Sequence, residues 1–197
     1  MTVRVSERVG SAWSELIGPE ATATDTTIAL GFSALGALAA PYVTHARRGT
    51  HLGDRLILRL LASDLWGGAW VNNTKACARW YERPGQSDTD HLKFAAMHLH
   101  PMVLAWMDRP RASRRTPGWL WAGTHYSYLI AATLTIRSAP RQRRLLGPAL
   151  TLGGVVLGTA LGSSPAAPWF APVYYTKLLL GHASAALWPD DALAAEL

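Results

Sequence analysis

Six apolar stretches punctuate the chain, at roughly Thr27–Thr44, Leu56–Val71, Leu92–Met107, Gly118–Ile136, Leu145–Leu161 and Trp169–Trp188. Each runs for about 16 to 20 residues, where a helix needs about 20 to cross a hydrocarbon core. Several are short spans unless flanking side chains snorkel or the bilayer thins. Arginines gather between the stretches, at Arg47 and Arg48, from Arg109 to Arg115 and from Arg137 to Arg144. Trp13, Trp80, Tyr81, Trp106, Trp119, Trp169, Phe170 and Trp188 fall at stretch ends, where amphipathic rings favour the headgroup level. Small residues recur inside, as in Gly31-Phe-Ser-Ala-Leu-Gly36 and Gly153-Gly-Val-Val-Leu-Gly158, and let helices approach closely in lipid. The pattern predicts an all-α fold, a polytopic membrane bundle of about six transmembrane helices over residues 27–188, hence a multi-pass protein of the cell membrane. A soluble all-α protein with buried helices is the competing architecture. Residues 1–26 read as an amphipathic or disordered lead-in. Their charges are scattered and no continuous apolar core makes them a signal peptide. Thr24, Asp25 and Thr26 are candidate N-caps for the first helix, and residues 189–197 read as a tail.

Composition sharpens this picture. Hydrophobic residues make up 49% of the 197 and charged ones 16%, against about 25% charged in ordinary soluble domains. That excludes a disordered chain. One cysteine, Cys77, excludes an internal disulfide framework and a thiolate zinc cluster. The net charge of +6 suits orientation in the membrane and anionic headgroups. Positive-inside counting slightly favours a cytoplasmic amino terminus. No basic helix with interleaved base-reading residues appears, so no nucleic-acid partner is expected.

Ionisable groups in a membrane stretch are costly, and each is a site hypothesis. Asp64 lies inside the second stretch, which ends Asn72-Asn73-Thr74-Lys75. At 100° per residue Asp64, Gly68 and Val71 share a face, with Asn72 beside it. The third stretch carries His91, His98 and His100 ahead of Pro101. His98 and His100 point apart on an ideal helix, and converge if the proline distorts the backbone. The fourth stretch carries His125 and Tyr126, and the sixth Tyr175, Lys177 and His182. Tyr175 and His182, seven apart, should share an α-helical face. Lys177 needs a counter-charge, and Asp64 is the only carboxylate well inside a stretch, so the two are expected to be neighbours. With alternating helices, Asn72, Asn73, His98, His100 and His182 reach similar depth. A polar pocket floored by Asp64, Lys177 and His125 is the simplest arrangement. The bland alternatives are an Asp64–arginine pair, asparagines capping a helix end, and histidines satisfied within the core.

The tract Ala62-Ser-Asp64-Leu-Trp-Gly-Gly68, followed about thirty residues later by Phe94-Ala-Ala-Met-His98-Leu-His100-Pro101, resembles part of the plasmanylethanolamine desaturase family. The resemblance spans about forty residues and carries over Asp64, Gly68, His98 and His100. It implies a membrane desaturase or hydroxylase acting on a lipid, with histidine-bound iron or another metal and a redox partner. Where that family has a histidine-tryptophan pair after the glycine, this chain has Trp70-Val71-Asn72.

Three functions fit. One is a membrane enzyme modifying a lipid or isoprenoid-like hydrophobic molecule through a metal on His98, His100, His125 and His182. The second is a metal-free cyclase or isomerase with an acid in Asp64 or a histidine. Its carbocation would be stabilised by Trp66, Trp70, Trp121, Tyr126 and Tyr175. The third is a non-enzymatic transporter or assembly factor. The expected catalytic set is Asp64, Asn72, His98 and Lys177. Trp66, Trp70, Asn73, Tyr126 and Tyr175 are expected to bind substrate.

Overall fold

The computed structural model describes residues 13–44, 51–109 and 116–194. Helices joined by short turns and loops make up these residues, with no strand among them. After a helical turn at 13–17 come α1 (Ala23–Ala39), α2 (Leu52–Val71), α3 (Lys75–Tyr81), α4 (Asp88–Ala96), α5 (His100–Met107) and α6 (Gly118–Ser138). A 3-10 turn at Pro140–Gln142 leads into α7 (Arg143–Leu161). Then α8 (Phe170–Tyr175) passes directly into a π-helix, Thr176–Ala183, and α9 (Asp190–Leu193) closes the described chain.

Local chemistry sets most of these boundaries. The first helix is capped by Thr22, two residues before the nearest predicted cap. Its side chain accepts from the Asp25 N–H while Asp25 accepts back from the Thr22 N–H at 3.0 Å, a reciprocal capping box. Ser87 and Asp90 repeat the device at the start of α4. The Asp90 carboxyl is thereby drawn from its ordinary 3.8 to about 2, chiefly by its hydrogen bond with the Ser87 hydroxyl, then by Lys93.

Two expected helices are not simple rods. The stretch Leu92–Met107 breaks at 97–99 into α4 and α5. Pro101 has no N–H for the Met97 carbonyl, and its ring clashes there, so the helix stops and restarts with the proline in its first turn. The last stretch widens to π winding after Tyr175.

The α1–α2 hairpin is cinched by small residues. A Cβ on Gly36 would stand 2.7 Å from the Ala62 carbonyl oxygen, and one on Gly67 would collide with the Ser33 hydroxyl. Such a surface lets backbones approach closely whether or not water is excluded around them. The α8–π segment is the central element, packed against α2, α4, α6 and α7. Phe170, Tyr174, Tyr175, Leu178 and Leu179 are fully buried there, with Leu65, Trp121 and Leu129 facing them.

Many large apolar side chains instead point outward, among them Leu30, Leu35, Leu38, Leu60, Leu120, Leu134, Leu145, Leu152 and Val156. Among the described residues, Pro140–Leu161 is the one helix both long and apolar enough to cross a bilayer, and only 22% of its most apolar window is buried. Helices α2 and α6 have the length, at 20 and 21 residues, but dilute their hydropathy with charges, hydroxyls and glycines. The first helix is apolar but stops at 17 residues. The Arg47–Arg48 pair and most of the Arg109–Arg115 cluster lie outside the described residues.

Candidate active site

The asparagines that end α2 explain how the π-helix is held. Winding by i→i+5 bonds leaves backbone carbonyls poorly served, and side chains from four directions reach them. Asn72 donates to the Lys177 carbonyl at 3.2 Å, and Asn73 to those of Thr176 at 3.1 Å and Ala69 at 2.9 Å. The Ser184 hydroxyl lies 2.7 and 2.8 Å from the Leu179 and Leu180 carbonyls. His91 has Nδ1 3.1 Å from the His182 carbonyl and Nε2 3.0 Å from that of Tyr81. Gly181 is required by the close crossing. A Cβ there would lie 2.7 Å from the Asn72 carbonyl oxygen, which is backbone and cannot swing away.

This scaffold delivers Lys177 to Asp64. The Lys177 ammonium donates to Asp64 Oδ2 at 2.6 Å, and His100 Nε2 lies 3.0 Å from the same oxygen. The lysine is 4% exposed, whereas half of the Asp64 side chain, 49%, is open. Gly68 makes room, since a Cβ there would collide with the lysine stem. The expected pairing of Asp64 with Lys177 therefore forms directly. His98 and His100 also converge, their rings nearly parallel at 5.5 Å, because the chain is broken before Pro101. His98 donates through Nδ1 to the Phe94 carbonyl at 2.6 Å, and the Tyr174 hydroxyl donates to the His98 carbonyl at 2.9 Å.

Asp64 and Lys177 open into a cavity of about 400 Å³. Ser63, Gly67, Gly68, Asn72 and His98 contribute to its wall. Ser33 adds one more hydroxyl, and the rest of the lining is apolar: Leu60, Val71 and Ala29 from the hairpin, Phe94 from α4, and Trp13, Leu16 and Ile17 from the amino-terminal turn. Leu16 and Leu60 are 52% and 72% exposed, so the mouth is itself apolar. The amino-terminal turn is tied down by a 2.6 Å Glu20–Arg79 ion pair and by Gly18, whose positive φ seats it against the Ala76 carbonyl.

Several predicted site residues lie elsewhere. Trp66, Trp70, Asn73, Tyr126 and Tyr175 do not line the cavity. Trp66 packs edge-on against Trp169 and Trp70 stacks on Phe32, on faces of α2 turned away from Asp64. The Tyr126 hydroxyl donates to the Ala96 carbonyl, and Asn73 braces the π-helix. His125 is not on the floor with Asp64 and Lys177. It sits among Trp121, Phe170 and Tyr175, its Nδ1 2.7 Å from the Tyr175 hydroxyl. Tyr175 and His182 do not share a face, because π winding advances about 80° per residue rather than 100°. His182 is carried round to stack on Phe94 at 3.7 Å, beside Tyr81 and His91.

The four histidines expected to hold a metal are consequently divided between three neighbourhoods. Only His98 lines the cavity, His100 is engaged with Asp64, and no group of three His, Cys, Asp or Glu side chains among the described residues is placed to share an ion. The residues present do not fit a two-iron centre of the kind the desaturase resemblance implies.

The sequence reading missed the cavity's apolar wall. Leu60 and Phe94 carried a signal, each four residues before a site residue, Asp64 and His98, and so on the same helical face. Trp13, Leu16 and Ile17 carried none, since their docking depends on contacts with α3 some sixty residues away. Compared with known proteins, the chain matches no family model, no curated protein and no solved structure, and its function has to be read from this site's own chemistry.

Proposed function

We propose that the protein is a membrane-embedded enzyme performing acid–base chemistry on a hydrophobic, lipid- or isoprenoid-like molecule, within a bundle of about six spans. The observation that carries this reading is the Asp64 carboxylate, shared by the Lys177 ammonium and His100 and opening into a cavity with an apolar wall and mouth. Charges of this kind are rare in apolar segments and mark function when they pair beside a cavity. A volume of about 400 Å³ falls in the range of small-molecule sites. The exposed leucines on α1, α2, α6 and α7 and the outward face of Pro140–Leu161 support a lipid surround. In that setting a ligand can enter past Leu16 and Leu60 without crossing water.

The chemistry is a proton relay at one oxygen. Asp64 accepts a proton from substrate or from Lys177, and His100 holds the carboxylate in place and steadies its charge. Of the alternatives, this metal-free reading has more support than a histidine-bound metal, since among the described residues no three His, Cys, Asp or Glu side chains are placed to share an ion.

The test is to purify the full chain in detergent, return it to vesicles made from a cell lipid extract, and follow the extract by mass spectrometry. New or shifted species are expected with wild-type protein and not with Asp64→Asn. An unchanged lipid profile, together with no quenching of intrinsic tryptophan fluorescence by any apolar ligand, overturns the reading.

A further inference from the structure

The geometry points to Lys177 as a covalent nucleophile that takes a hydrophobic aldehyde or ketone as an imine. This deepens the proposed function and rests on its reading of the cavity as the substrate site.

Three observations converge. Lys177 is one of the residues bordering the cavity, and Trp13, Leu16, Ile17, Leu60, Val71 and Phe94 give that cavity an alkyl and aromatic wall. A simple cation would find no anionic ligand set there beyond one carboxylate. A carbonyl compound with an apolar tail would find an amine in the cavity wall and alkyl and aromatic side chains to cover its tail. The lysine is also held in one conformation. Its stem lies against Gly68, and its ammonium is fixed by Asp64 Oδ2 at 2.6 Å and the Asp64 carbonyl at 3.4 Å. A positioned amine in a dry pocket is the arrangement in which lysine acts as a Schiff-base nucleophile. Finally, Asp64 and His100 supply the proton traffic that the condensation needs.

The step balances without an oxidant or reductant. The Lys177 ammonium gives a proton to the Asp64 carboxylate. The free amine adds to the carbonyl carbon, the C–N bond forms as the carbonyl π bond opens, and one proton passes from the nitrogen to the new alkoxide oxygen to give a carbinolamine. Asp64 returns its proton to the departing hydroxyl, which leaves as water, and the C=N bond forms. The product is a protonated imine with Asp64, again ionised, as its counter-ion. Hydrolysis reverses each bond. The imine makes the adjacent carbon acidic, which is what an isomerisation or a carbon–carbon bond rearrangement of an apolar carbonyl compound requires.

The chain contains three lysines, and the other two, Lys75 and Lys93, are exposed. They serve as internal references. The full-length protein in detergent is incubated with limiting decanal, reduced with cyanoborohydride, digested and mapped by mass spectrometry. Lys177 is expected to carry the decyl group at a rate about tenfold or more above Lys75 and Lys93, as a bound near-attack geometry provides. The preference should vanish with glyceraldehyde, which lacks the apolar tail, and excess decanol should suppress it. Asp64→Asn should slow Lys177 labelling at least severalfold while leaving Lys75 and Lys93 unchanged. Labelling of Lys75 and Lys93 with none at Lys177 overturns the inference. If decanol still shifts the tryptophan emission in that case, the hydrophobic-site reading survives it. If decanol does not bind, both fall.

Discussion

At the scale of single residues, Asp64 and Lys177 depend on each other unequally. Lys177 is buried and among the described residues its ammonium is paired with Asp64 alone, whereas Asp64 is half open and has His100 as a second partner. Asp64→Leu strands a charge in an apolar setting and should cost about 3–5 kcal/mol. Lys177→Met leaves the carboxylate with His100 and should cost clearly less. Thermal melts of the two variants and their double mutant in detergent check the order. Equal losses would mean that His100 does not support Asp64. The paired glycines of α2 make a parallel contrast. A Cβ on Gly67 meets a serine hydroxyl that can rotate, while one on Gly68 meets the lysine stem itself. Gly68→Ala is expected to abolish turnover and aldehyde labelling and to lower stability, because the added methyl displaces the buried Lys177 stem from Asp64. Gly67→Ala should leave both nearly intact.

Residue chemistry was partly legible in the chain. One lysine and one well-embedded carboxylate had little choice but to meet, and the 100° wheel correctly grouped Asp64, Gly68, Val71 and Asn72. The same wheel sets Trp66 and Trp70 about 200° and 240° round from Asp64, so their absence from the cavity was also readable. Their aromatic character had drawn them into the site on chemistry alone.

At the scale of elements, the π-helix is the part that pattern could not supply. Its winding is chosen by tertiary partners, Asn72, Asn73 and His91, that reach its carbonyls from elsewhere in the chain, with Ser184 bonding back from its own end. Asn73→Ala removes the clamp on the Thr176 carbonyl without touching the cavity. It should destabilise by about 1–2 kcal/mol and slow turnover by shifting Lys177. Unfolding midpoints and initial rates measured together test this, since a merely peripheral side chain would move neither. The Ser87–Asp90 cap gives a pH signature at another element. Because Asp90 titrates near 2 in the folded chain and near 3.8 when free, its contribution is present above about pH 4. It fades as pH falls from there toward 2. Asp90→Asn should flatten that part of the acid-denaturation profile, and an unchanged profile would deny the cap its role.

At the scale of the whole molecule, the question is what surrounds it. Leu152 is 65% exposed near the middle of the Pro140–Leu161 helix. In lipid, Leu152→Arg should cost about 2.5–3.5 kcal/mol of insertion, and the variant should shift from the membrane to the soluble or degraded fraction. In water the same change would help solubility. The sign of the effect, read by fractionation after an alkaline wash, decides between a membrane bundle and a water-soluble one. The all-α class was plain from the apolar stretches. The span count was not, because the chain breaks at 97–99 ahead of Pro101 and the last run changes its winding after Tyr175, so two uniform-looking runs are not single α-helical rods.

The wide winding of Thr176–Ala183 also makes this stretch respond unequally to losing and gaining a residue. From Lys177 to His182 five residues at about 80° each turn through about 400°, the same as four residues at the 100° of an ordinary α-helix. Removing one residue between Leu178 and Gly181 would therefore let the backbone relax to α pitch with His182 still turned toward Phe94. An added residue has no such outlet and would carry everything beyond it round by about 80° relative to Lys177. Variants of this chain should therefore tolerate a residue lost between 178 and 181 far better than a residue gained.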